Sequence, residues 1–348
     1  MSICIHYYMT RKSFVLLLVV LNTICLSAQQ PFRIMFYNVE NLFDVRDDSL
    51  KDDADFLPGG FMNWNSWKYR EKLKNITRVV TSLGEMHSPA LVGLCEVEGD
   101  SVIFDLTKRS PLRAQQYSYV TTNSPDERGA DVALLYQRHQ FKLLEKHEYE
   151  INFSNNKTRP TRNILHAVGR LLNTDTLDVF VCHFPSRRNG KKETERARID
   201  AAKMLKNKTD SLINTRQNAN IIVMGDFNDH PNDKSLSQIL KAQKLTNDIQ
   251  PSELYNMFYH RIKERRFGTY KYQGRWEVLD QFIVNGALLL KDSSSKISGY
   301  KATVYKSSYL LEEDKTNGGE KPYRTNLGPR YIGGFSDHLP IYMDLEIQ

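Results

Sequence analysis

Asn220-Ile-Ile-Val-Met-Gly-Asp226-Phe-Asn228-Asp229 sets four apolar side chains in a row, then a glycine, then an acid, a phenylalanine, an amide and a second acid. An apolar run this short reads as a strand that stops where the polar residues begin. The same pattern recurs on either side. Phe32-Arg-Ile-Met-Phe-Tyr37 reads as a strand ending at Asn38, with Glu40 just beyond, and Ala90-Leu-Val-Gly-Leu-Cys-Glu96 reads as a buried strand with an acid at its end. Ala130 to Tyr136 is another strand, and His166–Leu172 with Leu177–His183 forms a hairpin across Asn173-Thr-Asp175. Late strands run over Trp276–Val284 and Ile341–Ile347. Helical spacing of apolar residues marks Tyr69–Leu83, the charged amphipathic segment Glu193–Thr215 and a short Leu236–Ala242. Helices that alternate with both hairpins and single strands predict an α/β sandwich, not a purely parallel sheet.

The 348 residues carry 48 Lys and Arg against 41 Asp and Glu, a net charge of +7, with 40% hydrophobic and 26% charged residues. That composition excludes a mainly disordered chain, and 18 Gly with 12 Pro exclude collagen-like or low-complexity classes. At the N-terminus, Arg11 and Lys12 precede an apolar stretch of 13 residues from Phe14 to Leu26. This is too short to span a bilayer and has the form of a signal peptide, cut after Ala28. An uncleaved anchor is the alternative; lipid attachment at Cys25 is weaker, because Ile24 is bulky where a small residue is expected. The expected organisation is therefore a signal peptide over residues 1–28 and one domain over residues 29–348, exported to the periplasm or beyond the cell. Cleavage leaves 46 basic against 41 acidic residues, a balance of +5. Cys95 and Cys182 then remain inside apolar strands, as two buried thiols or a bridge.

Strand ends hold catalytic groups well, because the sheet is rigid while the loops beyond it vary. Here they gather Asn38, Glu40, Glu96, His183, Asp226 and Asn228, and Ser336-Asp337-His338 sits just before the last strand. Each residue alone has an ordinary explanation as a turn acid or a structural histidine. Together they offer carboxylate and amide oxygens with two histidines and no cysteine cluster, a donor set for a hard cation such as Mg²⁺, Mn²⁺ or Ca²⁺ and not for structural zinc.

Six motifs occur in a telling order: Phe36-Tyr-Asn38-Val-Glu40-Asn41, Gly93-Leu-Cys-Glu96-Val-Glu98, Cys182-His183-Phe-Pro-Ser186, Met224-Gly-Asp226-Phe-Asn228-Asp229, Leu279-Asp280-Gln-Phe282 and Ser336-Asp337-His338-Leu-Pro340. In that order they resemble the endonuclease/exonuclease/phosphatase superfamily, the DNase I-like fold, and its secreted bacterial members, over about Phe32 to Leu345. The resemblance implies a four-layer α/β sandwich, two packed mixed β-sheets flanked by helices. It implies metal-dependent attack of water on a phosphoester. Glu96 then matches the main metal-binding glutamate, and Asn38 and Glu40 match the first metal motif, where many members have Asp at the second position. Asp226 matches the acid that orients or deprotonates the attacking water, with Asn228 beside it. His338 matches the histidine that contacts phosphate, Asp280 the carboxylate that orients it, and Asp337 a second-site metal or phosphate-region acid. His183 matches the other histidine, an acid toward the leaving oxygen.

These roles agree with elementary chemistry. A phosphodiester is an anion that water attacks poorly; a divalent cation neutralises developing charge, an acid–base group adds roughly 10²–10⁴-fold, and an Asp–His pair favours imidazolium. The basic run Arg187-Arg188-Asn-Gly-Lys191-Lys192 follows the His183 motif, His260 to Arg266 is a second, and the resemblance puts Arg128 near the substrate phosphate. Such runs suit a polyanion, and nucleic acid is the commonest large one. Insertions near residues 44–67 and 296–334 depart from compact nucleases; the first is aspartate-rich and reads as a solvated loop, the second is rich in tyrosine and arginine and reads as an overhanging recognition loop. The expected activity is an endonuclease-type cleavage of nucleic-acid phosphodiesters. The alternative is a phosphatase or lipid phosphodiesterase acting on a phosphorylated small molecule or lipid head group. A non-catalytic binding module would show decay of the catalytic set, which is complete here.

Overall fold

The computed structural model describes residues 32–348 apart from 86, 156 and 157, so the expected signal peptide over 1–28 lies outside the described residues. The strands are β1 Phe32–Leu42, β2 Leu91–Val97, β3 Ser118–Thr121, β4 Asp131–Tyr136, β5 Lys142–Tyr149, β6 Ile164–Arg170, β7 Thr176–His183, β8 Ile221–Asp226, β9 Ala242–Gln243, β10 Leu254–Asn256, β11 Tyr270–Tyr272, β12 Arg275–Glu277, β13 Asp280–Asn285, β14 Ser295–Val304, β15 Leu311–Glu313, β16 Glu320–Pro322, β17 Asn326–Leu327, β18 Arg330–Tyr331 and β19 Ile341–Ile347. Two long helices are α1 Ser66–Gly84 and α2 Glu195–Thr215. One sheet runs β14-β19-β1-β2-β4-β3 and the other β5-β6-β7-β8-β13-β10-β9. Each mixes parallel and antiparallel pairs: β1 is parallel to β2 but antiparallel to β19, and β7 is parallel to β8, which is antiparallel to β13.

The layers follow from the two-residue period of a strand. On β1, Ile34 and Phe36 face the other sheet and pack with Ile222 and Met224 of β8, while Met35 and Tyr37 face out to Ile76, Val79, Val80 and Leu83 of α1. On β8, Ile221 and Val223 face out to Ala201, Ala202 and Leu205 of α2. Helix, sheet, sheet and helix stack as the expected four-layer sandwich, and an inner strand buried on both faces needs a continuous apolar run, as β8 has. Gly93 lets the sheets approach: a Cβ there would lie 2.9 Å from Met224 Sδ. Cys95 and Cys182 are buried free thiols, not a bridge.

Four expected boundaries move. Strand β1 continues past Asn38 to Leu42, through an irregularity where Glu40 and Asn41 take φ of 53° and 57°. Trp276–Val284 breaks at Val278-Leu279, because Arg275–Glu277 pairs with β11 in a hairpin while Asp280–Asn285 joins β8. The short helix ends at Ile239, and Ala242 instead pairs with Leu254. Residues 295–304, expected to begin an insertion, form an edge strand paired with β19 at both ends, bulged at Gly299-Tyr300. The aspartate-rich 44–67 loop is only half solvated. Trp64 is buried and donates from Nε1 to Phe43 O at 2.9 Å, and Phe56 stacks on Phe43 with ring centroids 4.4 Å apart.

The last acid of the opening stretch proves structural. Asp229 accepts from Ser235 Oγ at 2.6 Å and lies 2.8 Å from Arg198 Nε of α2, both side chains wholly buried. Breaking such a pair leaves a charge without its partner and costs about 3–5 kcal/mol. Arg198→Met is therefore expected to lower the urea midpoint of unfolding sharply, and Arg198→Met with Asp229→Asn to recover most of the loss. A single variant as stable as the parent would show that the pair does not hold α2 to the sheet.

Candidate active site

Backbone register assembles the first half of the site. Parallel pairing of β7 with β8 sets His183 beside Asp226, and antiparallel pairing of β8 with β13 sets Asp226 beside Asp280. Gly225 makes this possible: a Cβ there would lie 2.4 Å from Cys182 O. The other sheet supplies Asn38 on β1, paired with Cys95 on β2, and then Glu96. Glu96 sits in a bulge of β2 with φ of 61°, and Asn228 has φ of 51°. Bulges re-aim side chains, and left-handed backbone on non-glycine residues gathers at functional sites.

The side chains then lock across the sheets. Asn38 Nδ2 donates to Glu96 Oε1 and to Asp226 Oδ2, each at 3.1 Å, while Asn38 Oδ1 accepts from Glu40 N at 3.0 Å. Two carboxylate acceptors draw the amide NH₂ toward them, so Asn38 orients both acids. Glu96 Oε2 accepts from Asn41 N at 3.1 Å. Asp226 Oδ1 accepts from Asn228 N at 2.9 Å, and Asn228 Nδ2 donates to Phe184 O at 3.1 Å. Ser336 Oγ donates to Asn38 O at 2.7 Å, which brings the 336–338 turn over the strand ends. His338 Nδ1 lies 2.7 Å from Asp280 Oδ2, Tyr270 covers its ring at a centroid distance of 4.8 Å, and His338 Nε2 lies 3.8 Å from Asp226 Oδ2.

Burial and charge set the protonation states. Burial raises the Asp226 carboxyl to about 6; His338 pulls it down, and Asp280 and Glu96 push it up. Burial alone would lower His338, but Asp280 and Asp226 outweigh it and hold the imidazole well above its ordinary range. His183 goes the other way: burial, then the cations Arg162, Arg128 and His338, lower it well below the ordinary value. Its Nε2 is 3.8 Å from Glu96 and 3.9 Å from Asp226, beyond hydrogen-bond reach. His183 is therefore held toward its neutral form, which keeps one ring N–H.

Ligand atoms of Asp226, Asp280 and His338 lie within 4.8 Å of one another. Asp280 holds the His338 imidazole toward its protonated form, so His338 would have to lose that proton to ligate a metal there. The donor set that fits a hard cation is Glu96, with a side chain about one-fifth exposed, flanked by Asp226. Mg²⁺ keeps several waters and needs only one or two carboxylates plus phosphate. The raised Asp226 is the observation that supports the fit: this buried acid is short of positive charge.

Glu40 and Asp337 share one cation, Arg324. Glu40 Oε1 accepts from Arg324 Nε at 3.2 Å and Oε2 from Thr325 N at 2.6 Å; Asp337 Oδ2 accepts from Arg324 Nη2 at 2.8 Å. Glu40 is raised to about 7, first by burial and then by Asp337. Of the basic residues, Arg187 is fixed in the wall, bonded to Asn228 O and 3.1 Å from Glu277. Arg188 is exposed, and Arg128 is about two-fifths exposed with Nε 4.0 Å from Asp126. A cavity of about 300 Å³ opens beside the site, lined by Tyr270, Lys271, Asp314, Lys321, Arg324 and Asp337.

Three groups escaped the sequence reading. Arg162 is buried, donating to Phe184 O at 2.8 Å, and Arg324 was legible only as one arginine of a long loop. Lys72 is wholly buried and donates to Thr325 Oγ1 and, at 2.7 Å, to Phe335 O. Its signal was present: Lys72 follows Tyr69 by three and precedes Ile76 by four, on the apolar face of α1.

Residues 33–347 match the Endonuclease/Exonuclease/phosphatase family. No curated protein matches the chain. Among solved structures, an endonuclease/exonuclease/phosphatase family protein from Bacteroides thetaiotaomicron is similar at 16% identity and a TM-score of 0.56, covering 91% of this chain and 95% of that one. The mannosyl-6-phosphatase of the same organism is similar at 16% identity and TM-score 0.54, over 90% and 99% of the two chains. D. rerio TDP2, solved with a single-strand DNA product, is similar at 16% and 0.53, over 91% and 100%. At such identity these likenesses speak for the fold.

Proposed function

The chain belongs to the Endonuclease/Exonuclease/phosphatase family, and on that premise we propose that it hydrolyses phosphoesters by activated water with the aid of a divalent cation, Mg²⁺ or Mn²⁺ or Ca²⁺. The observation that carries this reading is the juxtaposition of an ionisable Asp226 with a protonated His338 that Asp280 orients. Asp226 accepts the proton of the attacking water, held in place by Asn38 and Asn228. His338, charged on its Asp280 side, presents Nε2–H to a phosphate oxygen and stabilises the negative charge that builds there. Glu96 would hold the cation, which lowers the pKa of a bound water and screens the phosphate. Tyr270 and the buried wall exclude bulk water from His338.

Nucleic-acid phosphodiesters are the leading substrate class. The balance of +5 left after residue 28 and the accessible Arg128 and Arg188 support it, and TDP2 has been solved with DNA. One observation favours a second reading, a phosphatase or lipid phosphodiesterase acting on a phosphorylated small molecule or head group: the 300 Å³ cavity is the size of a compact ligand and carries Lys271, Lys321 and Arg324. The signal peptide read over residues 1–28 supports export to the periplasm or beyond.

The test uses protein lacking residues 1–28, plasmid DNA and a panel of small phosphomonoesters, with Mg²⁺ or EDTA, at low and high salt. Metal-dependent nicking that falls steeply with salt supports the nuclease reading. Phosphate release from a small ester with the plasmid intact moves the substrate to the second class. Glu96→Gln should raise the Mg²⁺ concentration for half-maximal rate at least tenfold as well as slow the reaction; an unchanged metal titration would remove Glu96 from the metal.

A further inference from the structure

The resemblance puts metal-seeking acids at Glu40 and Asp337, and the structure fills the space between them with protein. Arg324 reaches in from the segment after β16, giving Nε to Glu40 and Nη2 to Asp337. The next residue takes the other Glu40 oxygen through its backbone N–H, and its hydroxyl receives Lys72. Glu40, buried, and Asp337, about one-fifth exposed, thus meet two cations, and a divalent ion placed there would face both Arg324 and Lys72. The segment carrying Arg324 is pinned on both sides. Tyr323 donates from its hydroxyl to Ile332 O at 2.6 Å, Phe335 N donates to Tyr323 O at 2.6 Å, and Gly334 N donates to Arg324 O at 3.1 Å. Arg324 Nη1 has no hydrogen-bond partner among the described residues, the side chain is about one-third exposed, and it lines the cavity beside Asp337.

We propose that Arg324 replaces a second metal ion: clamped between Glu40 and Asp337, it leaves the chain with one divalent ion, at Glu96, and offers Nη1 to a phosphate oxygen of a substrate seated in the cavity. A guanidinium suits this place because it is always charged and its planar fork binds carboxylate and phosphate together. The inference rests on the reading of the site as a phosphoester hydrolase, and it narrows that reading to one metal plus one fixed cation.

The experiment counts bound Mn²⁺ by electron paramagnetic resonance and measures inorganic phosphate binding by calorimetry in Mg²⁺, on protein lacking residues 1–28. The parent is expected to bind one Mn²⁺ per chain. Arg324→Met is expected to weaken phosphate about 10–100-fold, as loss of a charge-assisted hydrogen bond does, and to raise KM more than it lowers kcat. Two Mn²⁺ per parent chain, or unchanged phosphate affinity in the variant, overturns the proposal. Should the single variant fail to fold because Glu40 is left buried without its partner, Glu40→Gln with Arg324→Met keeps the pocket neutral and gives the same readout. Neither measurement needs turnover. A chain that binds one Mn²⁺ and loses phosphate with Arg324, yet hydrolyses no ester tried, overturns the hydrolase reading and leaves the site assignment standing.

Discussion

Asp226→Asn is expected to lower turnover by about 10²–10⁴-fold, the contribution of a positioned base, while the protein unfolds at the same temperature as the parent or a higher one. The two halves of this expectation have one cause. Asp226 is 2% exposed and faces Asp280 and Glu96, and its carboxyl titrates near 6 instead of near 4. A native pKa above the unfolded one makes the carboxylate a burden: stability falls as pH rises from about 4 through 6, because the unfolded chain gives up the proton more readily. The amide keeps the shape and removes that burden. It can still accept from Asn228 N, while Asn38 Nδ2 keeps Glu96 as an acceptor. Activity and thermal unfolding, measured on one preparation, check the two halves. Near-parental turnover would remove Asp226 as the base. A large fall in unfolding temperature would mean the carboxylate holds the structure together and that lost activity says nothing about chemistry.

The groups legible in the sequence share one local signature. Asp226, Asp280 and His338 each stand where an apolar run meets polar residues, so the ends of β8 and β13 and the turn before β19 could be read from the chain alone. The four layers were legible for a related reason, since only an inner strand needs the uninterrupted apolar run that β8 has. What the sequence hid was direction. Asn38 and Glu40 are two apart on β1 and looked like one metal motif. The left-handed turn at Glu40 and Asn41 sends the Asn38 amide to Glu96 and Asp226 and the Glu40 carboxylate to Arg324. No local propensity encodes that divergence, because it depends on a residue 284 positions away. Edge strands were hidden too. Ser295–Val304 alternates weakly and carries Gly299, and only its pairing with β19 makes it a strand.

Asp280→Asn should change the pH dependence of the reaction as well as its rate. In the parent, burial opposes the charge on His338, and Asp280, with help from Asp226, overcomes it. The imidazolium therefore persists through neutral pH. Activity should rise as Asp226 loses its proton near 6 and fall only on the alkaline side, where His338 loses its own. An asparagine in place of Asp280 keeps an acceptor for Nδ1–H and takes away the negative charge. Burial then dominates, and the alkaline limb moves down toward the acid limb, so the active window narrows from above. The loss should be larger at pH 8 than at pH 6.5, with a maximum about 10²–10⁴-fold below the parent. Stability moves in the same sense. A histidine whose folded pKa is raised stabilises the fold fully below its unfolded value near 6.5, and that contribution fades as pH rises through the folded value. The variant should therefore lose more stability at pH 6 than at alkaline pH. A rate profile lowered uniformly, with its alkaline limb unmoved, would show that the group titrating there is not His338. The pairing at 2.7 Å would then be a structural bond between β13 and the 336–338 turn rather than the source of the charge that meets the phosphate.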